Sequence, residues 1–267
     1  MVGRDAELAE LRRRFDAARE PRVALVTGEA GVGKSRLLRE FLAGLPAGTV
    51  VLAGQAEEGD LHRPFELLRD AVEPLVARWE EVPRPLAARA HALGHLLSPL
   101  LPVAHHVDDH DHTSDELQRA ALELVRVLTG GRPSVLVLED LHWADAETVA
   151  LFGRLATTPD LPLLLVGTFR PEDFDRRHPL AGLLPTLERQ QAVLHLSLSR
   201  LARHELGSML AAVYGRAPSA ETVVALHRRT QGNPFFVEEL VATADHPDPE
   251  ALVRVPLPWN AAEAVLR

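Results

Sequence analysis

Residues 28–35 read GEAGVGKS, a spacing of glycines, lysine and serine that is typical of loops that bind phosphate groups. An apolar run over residues 22–27 precedes this loop, and Leu37, Leu38 and Phe41 follow it at helical spacing. The glycines permit tight turns that aim main-chain N–H groups at an anion, and the N-terminus of the next helix attracts that anion too. We therefore predict a phosphate-binding loop made of Gly28, Glu29, Ala30, Gly31, Val32, Gly33, Lys34, Ser35 and Arg36.

Lys34 and Ser35 carry the chemistry of this loop. The ammonium group of Lys34, the only lysine in the 267-residue chain, is predicted to reach the β- and γ-phosphates of a nucleotide. The hydroxyl group of Ser35 is predicted to bind Mg²⁺, which prefers a few protein oxygen ligands together with phosphate oxygens. The alternative is a glycine turn without a ligand, and the flanking strand and helix patterns argue against it.

A second segment with distinctive chemistry is the apolar run SVLVL over residues 134–138, which ends in Glu139 and Asp140. Two carboxylates at the end of a buried strand suit the coordination of Mg²⁺ and the orientation of an attacking water molecule. We expect this strand to lie beside the strand that precedes the glycine loop. The alternative is a core strand that ends in an acidic turn on the surface.

Arg170 follows another apolar run, over residues 163–166. An arginine at the carboxyl end of such a strand is expected to face the crevice that contains the glycine loop. There it would detect the γ-phosphate through a charge-assisted hydrogen bond. The alternative is a surface arginine that caps a loop.

Residues 105–112 read HHVDDHDH and have the residue types of a divalent-metal site. No helix or strand pattern in this proline-punctuated region would hold these side chains in a fixed arrangement. We therefore favour the interpretation of a solvated acidic loop over that of a metal site.

Five apolar runs alternate with helical patterns, near residues 22–27, 49–53, 134–138, 163–166 and 192–196. Strands that are apolar throughout are typical of a parallel sheet covered by helices on both faces. From residue 199 onward the pattern is helical, with Pro234 at a suitable first helical position. We predict a doubly wound, mainly parallel five-stranded α/β domain over residues 1–198, a small all-α lid domain over 199–245 and a proline-rich linker with the start of a further region over 246–267.

The composition argues against several classes of protein. A formal net charge of −9 argues against a broad surface for nucleic acid or anionic membranes, and the lack of cysteine excludes disulfides and thiol chemistry. The N-terminal residues have no apolar signal-peptide core, and no stretch is apolar for long enough to span a bilayer. These features are those expected of a cytoplasmic protein.

Six segments together resemble one known family: VGRDAEL, GEAGVGKS, VLVLEDLHWADAET, LLLVGTFRPED, HPLAGLL and GNPFFVEEL. The chain is similar to the ATPase module of the signal-transduction ATPases with numerous domains (STAND), a branch of the P-loop NTPases. Within that group it most resembles the AAA-type ATPase domain of large LuxR-type bacterial transcriptional regulators. The resemblance implies the spatial strand order 5-1-4-3-2, in the numbering used for that branch.

The resemblance also implies roles for individual residues. Gly3 and Arg4 would lie near the nucleotide base, and Pro234 would pack near adenine and connect the helical lid to the nucleotide. Arg170 matches a sensor of the γ-phosphate. Glu139 and Asp140 occupy the acidic positions that hold Mg²⁺ and polarise water. Because family members often have aspartate at the first of these two positions, the division of roles between them stays open.

The resulting hypothesis is a Mg²⁺-dependent switch that binds ATP or ADP, hydrolyses ATP slowly and signals through self-association or a partner protein. The alternative is an interaction module clamped by ADP or ATP without significant turnover. A GTPase or a small-molecule kinase is disfavoured because the chain has no N-K-x-D motif for guanine. The chain contains no recognisable DNA-binding element, so a role in transcription rests on the resemblance alone.

Overall fold

The computed structural model describes residues 2–56, 64–97, 113–173, 176–190, 193–244 and 248–256. The chain divides into two compact units. One, which we call the sheet unit, comprises Glu10–Thr27 and Leu42–Leu196. The other, the loop–helix unit, comprises Met1–Ala9, Gly28–Phe41 and Ser197–Arg267. The domain boundaries expected from the sequence stay predictions.

The α/β architecture is confirmed. The strands are β1 (Arg22–Thr27), β2 (Val50–Gln55), β3 (Ser134–Glu139), β4 (Leu163–Phe169) and β5 (Leu194–Ser197). They form one five-stranded sheet in the order β2-β3-β4-β1-β5, which is the order that the family resemblance implies. The pairs β1–β4, β3–β4 and β2–β3 are all parallel.

The expectation that the acid-bearing strand lies beside β1 was wrong. Strand β4 lies between them and pairs with both, so that Val23 is level with Leu165 and Leu136 is level with Leu165 as well. The physical reason is that β3 and β4 are both apolar and buried along most of their length. An apolar run predicts burial inside a sheet but does not distinguish one interior position from another.

The helices are α1 (Asp5–Asp16), α2 (Lys34–Ala43), α3 (Glu66–Val76), α4 (Ala90–Leu97), α5 (Ser114–Thr129), α6 (Ala146–Ala156), α7 (Pro179–Gln190), α8 (Arg203–Tyr214), α9 (Ala220–Thr230) and α10 (Pro234–Thr243). Short 3-10 helices cover Arg84–Arg89, Leu141–Trp143, Pro171–Asp173 and Pro249–Arg254. Helix α5 begins as local sequence signals indicate. The Thr113 side chain accepts a hydrogen bond from the Glu116 N–H, and the Glu116 side chain accepts one from the Thr113 N–H.

The sheet unit has a continuous apolar core built mainly from leucine and valine. Strand β2 is an edge strand, and its residues alternate between buried and exposed, whereas β4 is buried throughout. Helix α3 packs closely on β2 at Gly54, where a Cβ atom would lie 2.3 Å from the carbonyl oxygen of Leu67. Because β1, β3 and β4 run parallel, their carboxyl ends lie at the same edge of the sheet.

The loop–helix unit has its own smaller core, which includes Leu206, Leu210, Leu226, Val237, Leu240 and Leu252. Glu250 joins the last 3-10 helix to the start of α9. Its Oε1 accepts a hydrogen bond from the Ser219 N–H at 2.8 Å, and its Oε2 accepts hydrogen bonds from the hydroxyl groups of Thr222 and Ser219. These hydrogen bonds, with that from Thr222 the largest cause, hold the pKa of Glu250 below its usual value.

Acid should weaken this connection. A carboxylate whose pKa is lowered by folding stabilises the native state above the pKa of the unfolded chain, about 4.3 for glutamate, and loses that contribution as the pH falls through the folded pKa. We expect Glu250→Gln to lower the free energy of unfolding at pH 7, and to lower it less below about pH 4. Urea unfolding at both pH values measures this, with the exposed Glu221→Gln as control. An equal loss at both pH values would contradict the prediction.

In the described ranges, no helix combines the length and the apolar character needed to cross a membrane.

Candidate functional site

The predicted glycine loop follows β1 directly and leads into α2, as expected. Gly28, Gly31 and Gly33 have φ angles of 148°, 72° and 100°, which side chains disfavour. Space is restricted as well, because a Cβ atom at Gly31 would lie 2.6 Å from the Cβ atom of Phe235. The loop therefore needs glycine both for its backbone conformation and for the close approach of neighbouring atoms.

Lys34 is the first residue of α2 and is buried. Its Nζ atom donates hydrogen bonds to the carbonyl oxygens of Gly28 at 2.6 Å and Glu29 at 3.0 Å. The ammonium group is thus held against the loop that precedes it. A cation in this position, next to main-chain N–H groups at a helix N-terminus, suits an anionic ligand.

Residues after β5 contact successive residues of the glycine loop. The Asn233 Nδ2 atom donates to the Ala30 carbonyl oxygen at 2.9 Å, and the Phe235 N–H donates to the Gly31 carbonyl oxygen at 3.2 Å. Arg200 donates to Glu29 Oε2 through Nε at 2.8 Å and through a terminal nitrogen at 2.6 Å. The conformation of the loop is consequently coupled to that of the helical segment within the loop–helix unit.

Pro234 occupies the first turn of α10, which confirms its predicted helical position. Asn233 is the N-cap, and its Oδ1 atom accepts a hydrogen bond from the Phe235 N–H at 3.0 Å. Its amide group therefore serves two purposes at once, since the oxygen caps the helix and the nitrogen contacts the glycine loop. The sequence predicted the helix start at Pro234 but neither the cap at Asn233 nor its contact with the loop.

Substitutions at Asn233 should separate the effect of the helix cap from the effect of the contact with the glycine loop. We expect Asn233→Ala to lower the free energy of unfolding by about 1–2 kcal/mol, the usual cost of losing a helix cap. Asn233→Asp should retain the capping oxygen, but it replaces the N–H donor to the Ala30 carbonyl oxygen with a charged oxygen and should therefore raise the Kd for ATP. Urea unfolding of both variants measures the contribution of the cap to stability, and the Kd for ATP measures the contribution of the loop contact to binding. The prediction fails if Asn233→Asp binds ATP as tightly as the parent while Asn233→Ala alone weakens binding.

Gly3 and Arg4 lie against the helical segment of the same unit. A Cβ atom at Gly3 would approach Glu205 Oε1 to 2.6 Å, and the φ angle of Gly3 is 72°. The Arg4 side chain is buried, donates to the carbonyl oxygen of Ser199 and pairs with Glu7 at 3.3 Å. The Arg4 side chain is thus held in place beside the start of α1 by a carbonyl oxygen and a carboxylate.

Glu139 and Asp140 lie at the carboxyl end of β3 in the sheet unit. Glu139 is level with Gln55 of β2, and Leu138 is level with Gly167 of β4. The parallel strand β1 ends at the same edge of the sheet as both acids. The roles of Glu139 and Asp140 as site residues stay predictions.

The backbone holds Asp140 in an uncommon conformation, with φ 57° and ψ 46°. Its N–H donates to Thr168 Oγ1 at 2.9 Å, and its Oδ2 atom accepts from Gln55 Nε2 at 3.3 Å. The Leu141 side chain packs on Gly167, because a Cβ atom at Gly167 would lie only 2.5 Å from Leu141 Cδ1. Gln55 and Thr168 were not predicted from the sequence, although their polar side chains at the ends of apolar strands were a signal.

Arg170 directly follows β4, and one of its terminal nitrogens pairs with Asp173 Oδ2 at 3.0 Å. Its Nε atom is buried and has no hydrogen-bond partner in the part of the chain that the structure describes. The side chain as a whole is 32% exposed. Arg170 therefore combines a fixed orientation with an unused donor, and both features suit recognition of an anion.

The histidine-rich segment 105–112 lies outside the described residues. Among the residues that are described, no group of three or more His, Cys, Asp or Glu side chains is arranged to hold a metal ion. The interpretation of that segment as a solvated loop stays a prediction.

A protein-family model described as "AAA ATPase domain" matches residues 1–166. An uncharacterized protein of Rhizobium meliloti (strain 1021) is 26% identical over 271 aligned residues, which cover 90% of this chain and 24% of that protein. The chain thus spans about a quarter of the length of that curated relative.

Three solved structures have a similar fold. A Walker-type ATPase of Pyrococcus abyssi has a TM-score of 0.58 at 14% identity, and the match covers 99% of this chain and 72% of that one. A STAND protein with a tetratricopeptide repeat sensor, from Pyrococcus horikoshii, has a TM-score of 0.51 at 15% identity over 99% of this chain and 32% of its own. Cdc6p of Pyrobaculum aerophilum has a TM-score of 0.55 at 16% identity over 94% and 59%. At such identities the similarity concerns the fold.

Proposed function

The chain belongs to the AAA ATPase domain family, and on this basis we propose that it is an ATP-binding signalling module that hydrolyses ATP slowly with Mg²⁺. The observation that carries the proposal is the G-x-x-x-x-G-K-S loop, which begins where β1 ends and passes into α2 at Lys34. Strand β3 ends in two carboxylates at the same edge of the parallel sheet. A loop for phosphates and acids for water activation are the two parts that nucleotide hydrolysis requires.

In the proposed complex, the loop from Gly28 to Arg36 binds the phosphates through main-chain N–H groups. Lys34 exchanges its hydrogen bonds to two loop carbonyls for contacts with the β- and γ-phosphates. The exchange is favourable because the ammonium group then pairs with charged phosphate oxygens, whereas the carbonyl oxygens of the loop are neutral. Burial of the ammonium group strengthens the interaction, since the effective dielectric constant is lower there than in water.

The residues present fit Mg²⁺. Ser35, Glu139 and Asp140 offer oxygen atoms alone, the donor type that this cation prefers, and Mg²⁺ needs only one or two carboxylates when phosphate oxygens complete its coordination. The Asp140 side chain is 16% exposed and is held in place by Gln55 and by the conformation of its own backbone. When bound, the ion neutralises phosphate charge. Glu139 and Asp140 hold it, and one of them orients the attacking water.

Arg170 is proposed to distinguish ATP from ADP. Its unused buried Nε donor supports this role, because a γ-phosphate oxygen would supply the missing acceptor. Gly3, Arg4 and Pro234 are proposed to lie near the adenine base. Their support is that all three belong to the loop–helix unit, together with the glycine loop.

In this proposal the bound nucleotide sets the arrangement of the helical segment, and the change is read by a second copy or a partner protein. The direct contacts of Asn233 and Phe235 with the loop support such coupling. A place in a STAND protein, and specifically in a LuxR-type transcriptional regulator, rests on the motifs shared with that family. The same contacts also favour a second candidate function, an ADP- or ATP-clamped interaction module without significant turnover.

Phosphate release from ATP, measured for the purified chain with Lys34→Ala as the blank, separates the two functions. Turnover above the blank that requires Mg²⁺ supports the enzyme. Nucleotide-dependent stabilisation without turnover supports the clamped module. Melting temperatures with ATP, ADP and GTP test the choice of base, because a ligand that binds only the folded chain raises the melting temperature. Equal stabilisation by GTP and ATP would contradict the adenine assignment.

A further inference from the structure

Four side chains of the sheet unit, Arg170, Asp173, His142 and Asp140, lie in a series between the ends of β3 and β4. A terminal nitrogen of Arg170 is 3.0 Å from Asp173 Oδ2, and the same oxygen is 3.5 Å from His142 Nε2. The other ring nitrogen of His142, Nδ1, is 4.0 Å from Asp140 Oδ1. The two ends of the series are Asp140 and Arg170, the proposed water-orienting or Mg²⁺-binding acid and the proposed phosphate sensor.

His142 is the most buried member of the series. Its side chain is 0% exposed, compared with 16% for Asp140, 29% for Asp173 and 32% for Arg170. Interactions between polar and charged groups are stronger in such surroundings than in water, since the effective dielectric constant is lower. The imidazole ring is therefore placed where it affects both carboxylates more than an exposed side chain would.

The local backbone restricts where this ring lies. His142 belongs to the 3-10 helix that begins immediately after Asp140, and the Trp143 N–H donates to the Asp140 carbonyl oxygen at 2.8 Å. The His142 and Trp143 rings are also in contact, with centroids 5.2 Å apart. The ring thus has little freedom to turn away, and its two nitrogens face carboxylates that come from different strand ends.

Other residues hold the two ends of the series separately. Gln55 and Thr168 fix Asp140 from the neighbouring strands β2 and β4, and these two hydrogen bonds end at Asp140. His142 and Asp173 supply the connection between the acid and the arginine. Both residues also line a cleft of about 930 Å³, in which Asp173 is partly exposed and the His142 side chain is buried.

We propose that His142 and Asp173 are positioning residues that fix Asp140 and Arg170 relative to each other. They act through these two side chains and do not touch the nucleotide. The inference rests on the proposed function, because it assigns a purpose to residues that hold the proposed acid and sensor. It extends that function by making the acid and the sensor respond together when the γ-phosphate is lost.

The test compares kcat and the Kd for ATP among the parent, His142→Leu, Asp173→Asn and the double variant. We expect each single substitution to lower kcat about tenfold and to change the Kd for ATP less than about twofold, because the positioning acts on the reacting groups. The double variant should lose no more than either single one, since both residues belong to one connection. Parental kcat in a folded single variant, or losses that multiply in the double variant, would overturn the proposal.

Two further variants distinguish positioning from a general effect on stability. In His142→Gln the side-chain amide lies where Nε2 lies in histidine, so the contact with Asp173 and part of kcat should return. His195→Leu is the matched control, because His195 Nε2 is likewise 3.5 Å from a carboxylate, that of Glu188, outside the series. It should leave kcat at the parental value. Failure of the glutamine variant to exceed the leucine variant in kcat would overturn the proposal.

A parent chain that binds ATP without turnover would refute the enzymatic function but would still test this inference. The measured quantity is then the ratio of the Kd for ADP to the Kd for ATP. His142→Leu and Asp173→Asn should shift this ratio toward the value of Arg170→Ala, since the sensor loses its support. A ratio equal to that of the parent in both variants would overturn the proposal.

Discussion

Replacing Lys34 with alanine is expected to raise the Kd for ATP about 100-fold, a loss of roughly 2.8 kcal/mol at about 1.4 kcal/mol per tenfold change. The substitution removes the only ammonium side chain in the molecule, which the structure holds against the carbonyl oxygens of Gly28 and Glu29. Without it, the loop keeps its main-chain donors but has no cation for the β- and γ-phosphates. The shift in melting temperature with increasing ATP measures the change.

Arg39→Ala provides the matched control, because Arg39 is an exposed cation on the same helix α2. It removes the same charge and should leave the Kd for ATP within about twofold of the parent, as expected of an exposed surface charge. Equal weakening in the two variants would show that only the net charge matters, and it would contradict the assignment of Lys34.

The uniqueness of Lys34 permits an independent measurement on the parent chain. An amine-reactive reagent can modify only Lys34 and the N-terminal amine, because no other lysine is present. ATP should protect Lys34 from modification while the N-terminal amine reacts at an unchanged rate, and peptide mass spectrometry reports both sites. Unchanged labelling of Lys34 at saturating ATP would contradict its contact with the phosphates.

Substitution of the two acids at the end of β3 is expected to abolish turnover while binding persists. We expect Asp140→Asn and Glu139→Gln each to lower kcat at least about 100-fold, since both remove a charge proposed to act on Mg²⁺ or the attacking water. The Kd for ATP should change less than the rate, because the glycine loop and Lys34 supply most of the binding. Phosphate release and ATP-dependent melting of the same preparations measure the two quantities.

Asp160→Asn is the control for these substitutions. Asp160 has the same φ of 57° as Asp140, so both positions tolerate aspartate and asparagine in the left-handed conformation. Asp160 lies before β4, at the opposite edge of the sheet from Asp140, and its replacement should leave kcat unchanged. Turnover at the parental rate in both Asp140→Asn and Glu139→Gln would refute the roles of these acids. A loss of turnover in only one variant would show which of the two acids is needed for catalysis, a question that the sequence left open.

The elements that the sequence predicted well depend on contacts between near neighbours. Residues 28–35 identify the glycine loop because turns, positive φ angles and a helix start are all set within a few residues. Pro234 marks a helix start for the same reason. Strand positions were predicted to within a few residues, since a buried parallel strand needs an apolar run.

The side chains that hold Asp140 could not be predicted from local sequence patterns. Gln55 precedes it by 85 residues and Thr168 follows it by 28, and hydrogen bonds over such separations follow from the order of the strands. The position of β4 between β1 and β3 decides that order. Hydrophobic periodicity carries no information about it, because any interior strand is equally apolar.

The sequence by itself therefore determined the α/β class, the glycine loop between β1 and α2 and the residue types available for chemistry, all of which are encoded locally. Only the tertiary structure decided which side chains hold those residues: Asn233 on the loop, 203 residues from Ala30, and His142 with Asp173 between the acid and the arginine. The physical reason is that such contacts form when packing brings distant segments together, and that packing depends on the whole core rather than on any local pattern.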